Sequence, residues 1–103
     1  MSGFKKSDTL DRLKVKRIIY EDAIGTDYEE TAKRAYLEKF IHSYNAFLTQ
    51  NRPEYEEDMR QIRQELIRHK NEVKLLSAKY RVTARILMVS PRLYSYVHRL
   101  LKS

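Results

Sequence analysis

The sequence predicts an all-α protein with four helices, in which the second and third form a long antiparallel hairpin and the last belongs to a C-terminal helical pair. The 103 residues include two glycines and two prolines, which leaves few positions for turns. No run of β-branched residues alternates with polar residues over the length of a strand. Large apolar residues recur at steps of three and four, which places them on one face of a helix. A chain of this length has room for one domain, residues 1–103.

The first predicted helix follows a flexible basic head, residues 1–7. Ser7 or Thr9 is the expected N-cap. Gly25 is the expected stop, because glycine readily adopts the left-handed conformation that ends helices. The side chains expected to face inward are Leu10, Leu13, Ile18, Ile19, Ala23 and Ile24.

The second predicted helix begins with a capping box and ends near Thr49. In this box Thr26 accepts a hydrogen bond from the backbone of Glu29, whose side chain reaches back to the Thr26 amide. The expected inward face consists of Leu37, Phe40, Ile41, Tyr44, Phe47 and Leu48. Proline has no N–H to donate, so Pro53 predicts a tight reversal after this helix.

The third predicted helix opens with acidic residues and carries a heptad repeat. Negative charge in a first turn complements the helix dipole, which explains the cluster at residues 54–58. A carboxylate metal or acid-base site is the alternative, but no histidine lies at ligand spacing to complete it. Steps of four and three over more than three heptads predict a coiled-coil contact, supplied by the second helix in a hairpin over residues 27–80 or by a second chain. The seam positions are Tyr55, Met59, Ile62, Leu66, His69, Val73, Leu76 and Tyr80.

The C-terminal segment, residues 81–103, predicts a basic helical pair. Ser90 and Pro91 are a strong helix start, with serine as N-cap and proline at the first helical position. Residues 82–89 contain more apolar side chains than contact with a single neighbouring helix requires, which predicts that this segment is buried on several sides. The expected apolar face of the last helix is Leu93, Tyr94, Val97, Leu100 and Leu101.

Residues 83–101 resemble the helix-turn-helix of many DNA-binding regulators. In that pattern a small residue allows close crossing, apolar residues bracket the turn, a serine caps the second helix, and two apolar residues pin it. These roles are filled here by Ala84, Leu87, Val89, Ser90, Tyr94 and Val97. One position departs from the pattern, because Met88 stands where glycine is usual, and a left-handed conformation there would cost about 1–2 kcal/mol.

The resemblance implies a set of residues that meet DNA. Arginine can read guanine in the major groove, while serine and tyrosine can bind phosphate. Arg81 and Arg85 would flank the DNA backbone. The full set of expected nucleic-acid-binding residues is Arg81, Arg85, Ser90, Arg92, Ser95, Tyr96, Arg99 and Lys102.

The positive charge of the chain is concentrated at its C-terminal end. The formal net charge is +7, and residues 73–103 contain seven lysines and arginines but no aspartate or glutamate. The first 72 residues balance, with 14 basic and 14 acidic side chains. Because concentrated positive potential attracts polyanions, this distribution favours nucleic-acid binding. A cationic end also fits an acidic protein surface, or the acidic middle (residues 18–72) of a second copy of the chain.

We therefore expect a small DNA-binding regulator or architectural protein, with DNA preferred over RNA, that forms a homo-oligomer or pairs with a helical protein. The alternative is an adaptor or assembly subunit, joined to larger proteins through the heptad seam and the basic C-terminus. We expect no enzyme, cofactor, metal or small-molecule substrate, because there is no cysteine, no glycine-rich phosphate loop and no metal-spaced set of histidines.

Nothing in the sequence predicts a membrane protein. No run approaches the ~18 apolar residues that span a bilayer, and the N-terminus lacks the apolar region of a secretory signal. A basic amphipathic helix lying on an anionic membrane is disfavoured by tyrosine on its polar face. The absence of cysteine suits a reducing compartment, so an intracellular location is expected.

Overall fold

Five α-helices and two short 3-10 segments make up almost all of the part of the chain that the structure describes. The computed structural model describes the backbone of residues 5–102 and the side chains of residues 5–100. No strand occurs in the described range, so the all-α prediction is confirmed. The elements are α1 (Lys6–Ala23), α2 (Glu29–Gln50), a 3-10 segment (Pro53–Tyr55), α3 (Glu56–Arg68), a second 3-10 segment (Lys70–Leu75), α4 (Ala78–Val89) and α5 (Pro91–Lys102).

Helix α2 supplies the centre of the core, and it packs against α1, α3 and α4. Its predicted inward face is confirmed, although Leu48 is only half-buried. The buried apolar residues of α2 are Tyr36, Leu37, Phe40, Ile41, Tyr44 and Phe47. The rest of the core is Ile62, Leu66, Val73, Leu76, Ala84, Leu87 and Tyr94. All the later elements thus contribute side chains to one cluster around α2.

Helix α1 packs on α2 through fewer residues than predicted. Leu10, Leu13 and Tyr20 are half-buried against the core. Ile18 and Ile19, expected to face inward, are exposed, and so is Ile24 beyond the end of the helix. Apolar residues occur almost all round α1, and a helix lying on the surface of a bundle can bury only one arc of them.

The first helix also begins earlier than the predicted N-caps, Ser7 and Thr9. Helix α1 already includes Lys6 and Ser7. The ammonium of Lys6 lies 3.1 Å from a carboxylate oxygen of Asp58, which ties the start of α1 to α3. Residues 1–4 lie outside the described residues.

Glycine separates α1 from α2 as predicted, but the capping contacts differ. Gly25 has φ +84°, the left-handed conformation, just after α1 ends. The Glu29 carboxylate accepts a hydrogen bond from the Gly25 amide at 2.8 Å, rather than from the Thr26 amide. The Thr26 hydroxyl oxygen accepts from the Tyr28 amide at 3.2 Å, so it serves the turn and not the Glu29 backbone. The predicted capping box is therefore replaced by a related set of turn contacts.

The prediction of one continuous third helix is wrong. Helix α3 ends at Arg68, residues 70–75 form a 3-10 segment, and α4 begins at Ala78. The seam residues Ile62, Leu66, Val73 and Leu76 are buried, while Met59, His69 and Tyr80 are half-buried. The alternating steps of three and four residues therefore correctly predicted which positions are buried or half-buried. Because they are divided among three elements that pack within the chain, they do not form a straight coiled-coil seam.

Candidate nucleic-acid interface

A single residue joins α4 to α5, and it caps α5 as the sequence predicts. Ser90 is extended, with φ −151° and ψ 109°. Its hydroxyl oxygen accepts a hydrogen bond from the Leu93 amide at 3.2 Å, and its carbonyl accepts from the Tyr94 amide at 3.0 Å. The side chain thereby satisfies one of the first N–H groups of α5, which have no partner inside the helix.

The link between these helices is shorter than the turn that the helix-turn-helix resemblance implies. Met88, at the position where glycine is usual, lies inside α4. In the described part of the chain, Asn51 is the non-glycine residue with positive φ, so Met88 carries no left-handed strain. The helix-turn-helix resemblance stays a prediction, with one linking residue where a longer turn was expected.

An arginine from α3 closes the other side of this junction. The Arg63 guanidinium is partly buried and donates from Nε to the Leu87 carbonyl at 2.8 Å and from Nη2 to the Met88 carbonyl at 2.5 Å. These carbonyls belong to the last turn of α4, where they lack intrahelical partners and where a positive charge complements the helix dipole. Sequence analysis missed this role because the bonded residues are 24 and 25 positions away in the chain.

Tyr94 anchors α5 to α2. Its side chain is 4% exposed, its ring meets the Tyr44 ring edge-on at a centroid distance of 5.5 Å, and its hydroxyl donates to the side-chain oxygen of Asn45. Burial raises the pKa of Tyr94 to about 12, although the Asn45 hydrogen bond acts in the opposite direction. The buried face of α5 is therefore held in a defined orientation, which decides what its opposite face presents to solvent.

A half-open cleft of about 280 Å³ lies between α2, α4 and α5, beside this anchor. Its walls include Ile41 and Ile86, and a hydrogen bond of 2.7 Å joins His42 Nε2 to the Tyr80 hydroxyl there. Within the described residues, no group of three or more histidine, cysteine, aspartate or glutamate side chains is placed to hold a metal ion. No described helix has the length and apolar content needed to cross a bilayer.

The predicted nucleic-acid-binding residues lie on α4, on α5 and at the junction between these helices. Arg85, Arg92, Tyr96 and Arg99 are exposed, and Arg81, Ser90 and Ser95 are half-buried. Arg99 Nη2 donates to the Ser95 hydroxyl at 3.3 Å, one turn earlier on α5. Lys102 belongs to the backbone of α5, but its side chain lies outside the described residues.

The ion pairs among residues 5–100 all involve cations that precede the C-terminal third: Lys6–Asp58, Lys33–Glu72, Arg34–Glu30, Arg52–Glu54, Arg60–Glu57 and Arg68–Glu65. Several other early cations, such as Arg12, Lys14 and Lys16, take part in no ion pair in this part of the chain, but they share α1 with acidic residues. Within the same range, five cations of the C-terminal third take part in no ion pair. They are Lys74, Lys79, Arg81, Arg85 and Arg92.

Apolar residues are exposed beside these cations, which the sequence did not predict. Leu93 and Leu100, expected to be inward, are 49% and 56% exposed. Tyr94 is buried and Val97 half-buried, so the buried arc of α5 is narrower than its apolar arc. Val82 and Val89 of α4 are exposed as well.

No protein-family model, curated protein or solved structure matches this chain.

Proposed function

We propose that this protein binds nucleic acid, with duplex DNA preferred over RNA, through the cations of α4 and α5. The observation that carries the proposal is that five cations lie in a segment without aspartate or glutamate, residues 73–103, and pair with no carboxylate in the described part of the chain. Phosphates would supply the missing counter-charges, and each neutralised phosphate releases condensed counterions and so favours binding.

The placement of the arginines supports this proposal. Arg81 and Arg85 lie one turn apart on α4, and Arg92 and Arg99 lie two turns apart on α5. At 1.5 Å per residue, the latter pair is separated by about 10.5 Å along the helix axis. Seven residues are almost two full turns, so both arginines project from the same side of α5 and one duplex lying against that side can contact both.

The experiment is a titration of a labelled duplex with protein at nanomolar concentration, at about 50 and about 200 mM salt. The test variant replaces three exposed C-terminal arginines: Arg85→Gln, Arg92→Gln and Arg99→Gln. We expect affinity to fall and the slope of log K against log salt to flatten by up to about 3, one for each lost phosphate contact. Single-stranded RNA in a parallel titration tests the preference for DNA.

The matched control removes the same charge from arginines that already have carboxylate partners. It combines Arg34→Gln, Arg60→Gln and Arg68→Gln, whose guanidinium groups pair with Glu30, Glu57 and Glu65 respectively. We expect this variant to bind DNA much more tightly than the test variant. Equal losses in both variants, or an affinity that does not change with salt, would refute the proposal.

A second candidate function is that of a helical assembly subunit. The exposed apolar residues favour it, because a solvent-facing cluster of large apolar side chains is typical of a protein contact surface. On α5 these residues alternate with arginines, and tyrosine and arginine are enriched at protein interfaces.

A further inference from the structure

The outward face of α1 combines apolar and acidic side chains in a regular pattern. Asp8, Asp11, Val15, Ile18 and Asp22 follow one another at steps of three and four, so they lie on one stripe of the helix. Ile19 adjoins this stripe, and these six residues form what we call the α1 outer face. Val15, Ile18 and Ile19 at its centre are 52%, 44% and 49% exposed.

Within residues 5–100, the carboxylates of the α1 outer face form no ion pair. Asp8, Asp11 and Asp22 are exposed and take part in no ion pair with any residue of the described range. The nearest basic positions on α1, Arg12 and Lys14, lie about 70° and about 90° from the centre of this face, on opposite sides of it, at 100° per residue. The face therefore presents an apolar centre with negative ends.

The outward face of α5 has the opposite charge. Leu93, Tyr96 and Leu100 are 49%, 61% and 56% exposed, and they occupy one side of the helix beside the exposed Arg92 and Arg99. These five residues form the α5 outer face. It matches the α1 outer face in kind, with apolar side chains beside charged ones, and complements it in sign.

We propose that the α1 outer face of one copy of the chain packs against the α5 outer face of a second copy. The three apolar side chains of each face would lose their solvent contact, and the α1 aspartates would lie beside the α5 arginines. Pairing α1 with α1 would bring three aspartates toward three others, and pairing α5 with α5 would bring two arginines toward two others. Like charges disfavour both of those arrangements.

One α1–α5 contact leaves one α1 face and one α5 face free on the pair of molecules. Where these two faces also meet each other, the pair closes as a two-fold symmetric dimer; where each binds a further copy, the contacts build rings or open chains. Five or six residues per side is far below the ~20–30 of a standard interface, so the contact is weak and depends on concentration. The inference develops the assembly function and does not depend on nucleic-acid binding.

The test is sedimentation of the protein over a range of concentrations up to about millimolar, at low and high salt. Wild-type protein is expected to gain mass with concentration at low salt and to lose it at high salt, since screening weakens surface charge pairs. Two variants reverse the charge of one face each. The first carries Asp11→Lys with Asp22→Lys, and the second carries Arg92→Glu with Arg99→Glu. Each variant alone is expected to remain a monomer, because both of its faces then have the same sign.

Mixing the two variants is the decisive step. In the mixture, the now positive α1 outer face of the first variant can pack against the now negative α5 outer face of the second. The unaltered α5 face of the first and the unaltered α1 face of the second also have opposite charges. The mixture is therefore expected to regain the mass that each variant lost. A control with Asp27→Lys and Glu56→Lys changes the charge equally at exposed positions outside both faces, and it should associate like wild type. Helicity is checked by circular dichroism, and Asp11→Asn with Asp22→Asn replaces the first variant if that variant unfolds.

Three results would overturn the inference. They are a wild-type protein that stays monomeric at every concentration, single variants that associate like wild type, and a mixture of the two variants that fails to associate. DNA binding gives a separate readout, because the first variant retains every cation of α4 and α5. Loss of self-association with retained DNA binding separates the two proposals. If the protein fails to bind DNA but self-associates in the way the charge-reversal variants predict, the inference of self-association stands and nucleic-acid binding does not.

Discussion

Replacing Arg63 should destabilise the protein far more than replacing Arg60, although both arginines lie on α3 and both make several hydrogen bonds. The Arg63 guanidinium, partly buried, caps two carbonyl groups of the last turn of α4, while Arg60 pairs with Glu57 on the surface. Methionine is the informative replacement, because it keeps much of the apolar stem and removes the donors.

The expected loss for Arg63→Met follows from the bonds removed. A hydrogen bond to a charged group contributes about 1.5–3 kcal/mol, and its removal leaves two partly buried carbonyl groups unsatisfied, so we expect a loss of about 2–4 kcal/mol. That corresponds to a fall in Tm of at least about 8 °C for a domain of this size. Arg60→Met should leave Tm nearly unchanged, because exposed pairs between neighbouring helical residues contribute little.

Thermal and urea denaturation followed by circular dichroism measure both variants. Arg63→Lys adds a further comparison, since lysine keeps the positive charge at the end of α4 but cannot reproduce the two-armed geometry of the guanidinium. It should fall between wild type and Arg63→Met. Similar Tm values for Arg60→Met and Arg63→Met would refute the idea that Arg63 holds the α4–α5 junction.

Two further predictions concern the core and the tyrosines. Leu66→Ala should lower the free energy of unfolding, measured by urea denaturation, by about 2–5 kcal/mol, because the Leu66 side chain is fully buried. Val89→Ala, at a site that is 80% exposed, should have little effect. Equal losses in the two variants would contradict the assigned core. Burial raises the pKa of Tyr36 and of Tyr94 to about 12 from the ordinary 10.0. Their contribution to stability should therefore be full below pH 10 and be lost as pH rises toward 12, because the unfolded chain ionises first. In alkaline thermal denaturation, Tyr94→Phe should lose less stability than wild type across this window, and an equal loss would contradict the prediction.

The boundaries between helices could largely be predicted from the sequence, because the responsible residues act on their own backbone. Gly25 ends α1 through its left-handed conformation, and Pro53 follows the end of α2. Ser90 and Pro91 start α5. Each of these effects depends on a few neighbouring atoms and survives in any tertiary context. The charge distribution is equally a property of the chain, and it led directly to the C-terminal cations.

The heptad repeat shows where local reasoning fails. The spacing of the apolar residues within 55–80 predicted largely correctly which side chains are buried. It does not record whether the backbone between them is one helix. The chain changes to a 3-10 segment at residues 70–75, which still directs Val73 inward. Only packing against α2 selects this arrangement over a continuous helix.

The sequence by itself determined that the chain is helical, where most helices begin and end, and that the last third carries unbalanced positive charge. The tertiary structure decided which arc of each amphipathic helix is buried, and so exposed Ile18 on α1 and Leu93 on α5. It also brought Arg63 to the end of α4. The physical reason is that propensity, capping and charge are local properties, whereas burial and long-range hydrogen bonds depend on which distant segments share the core.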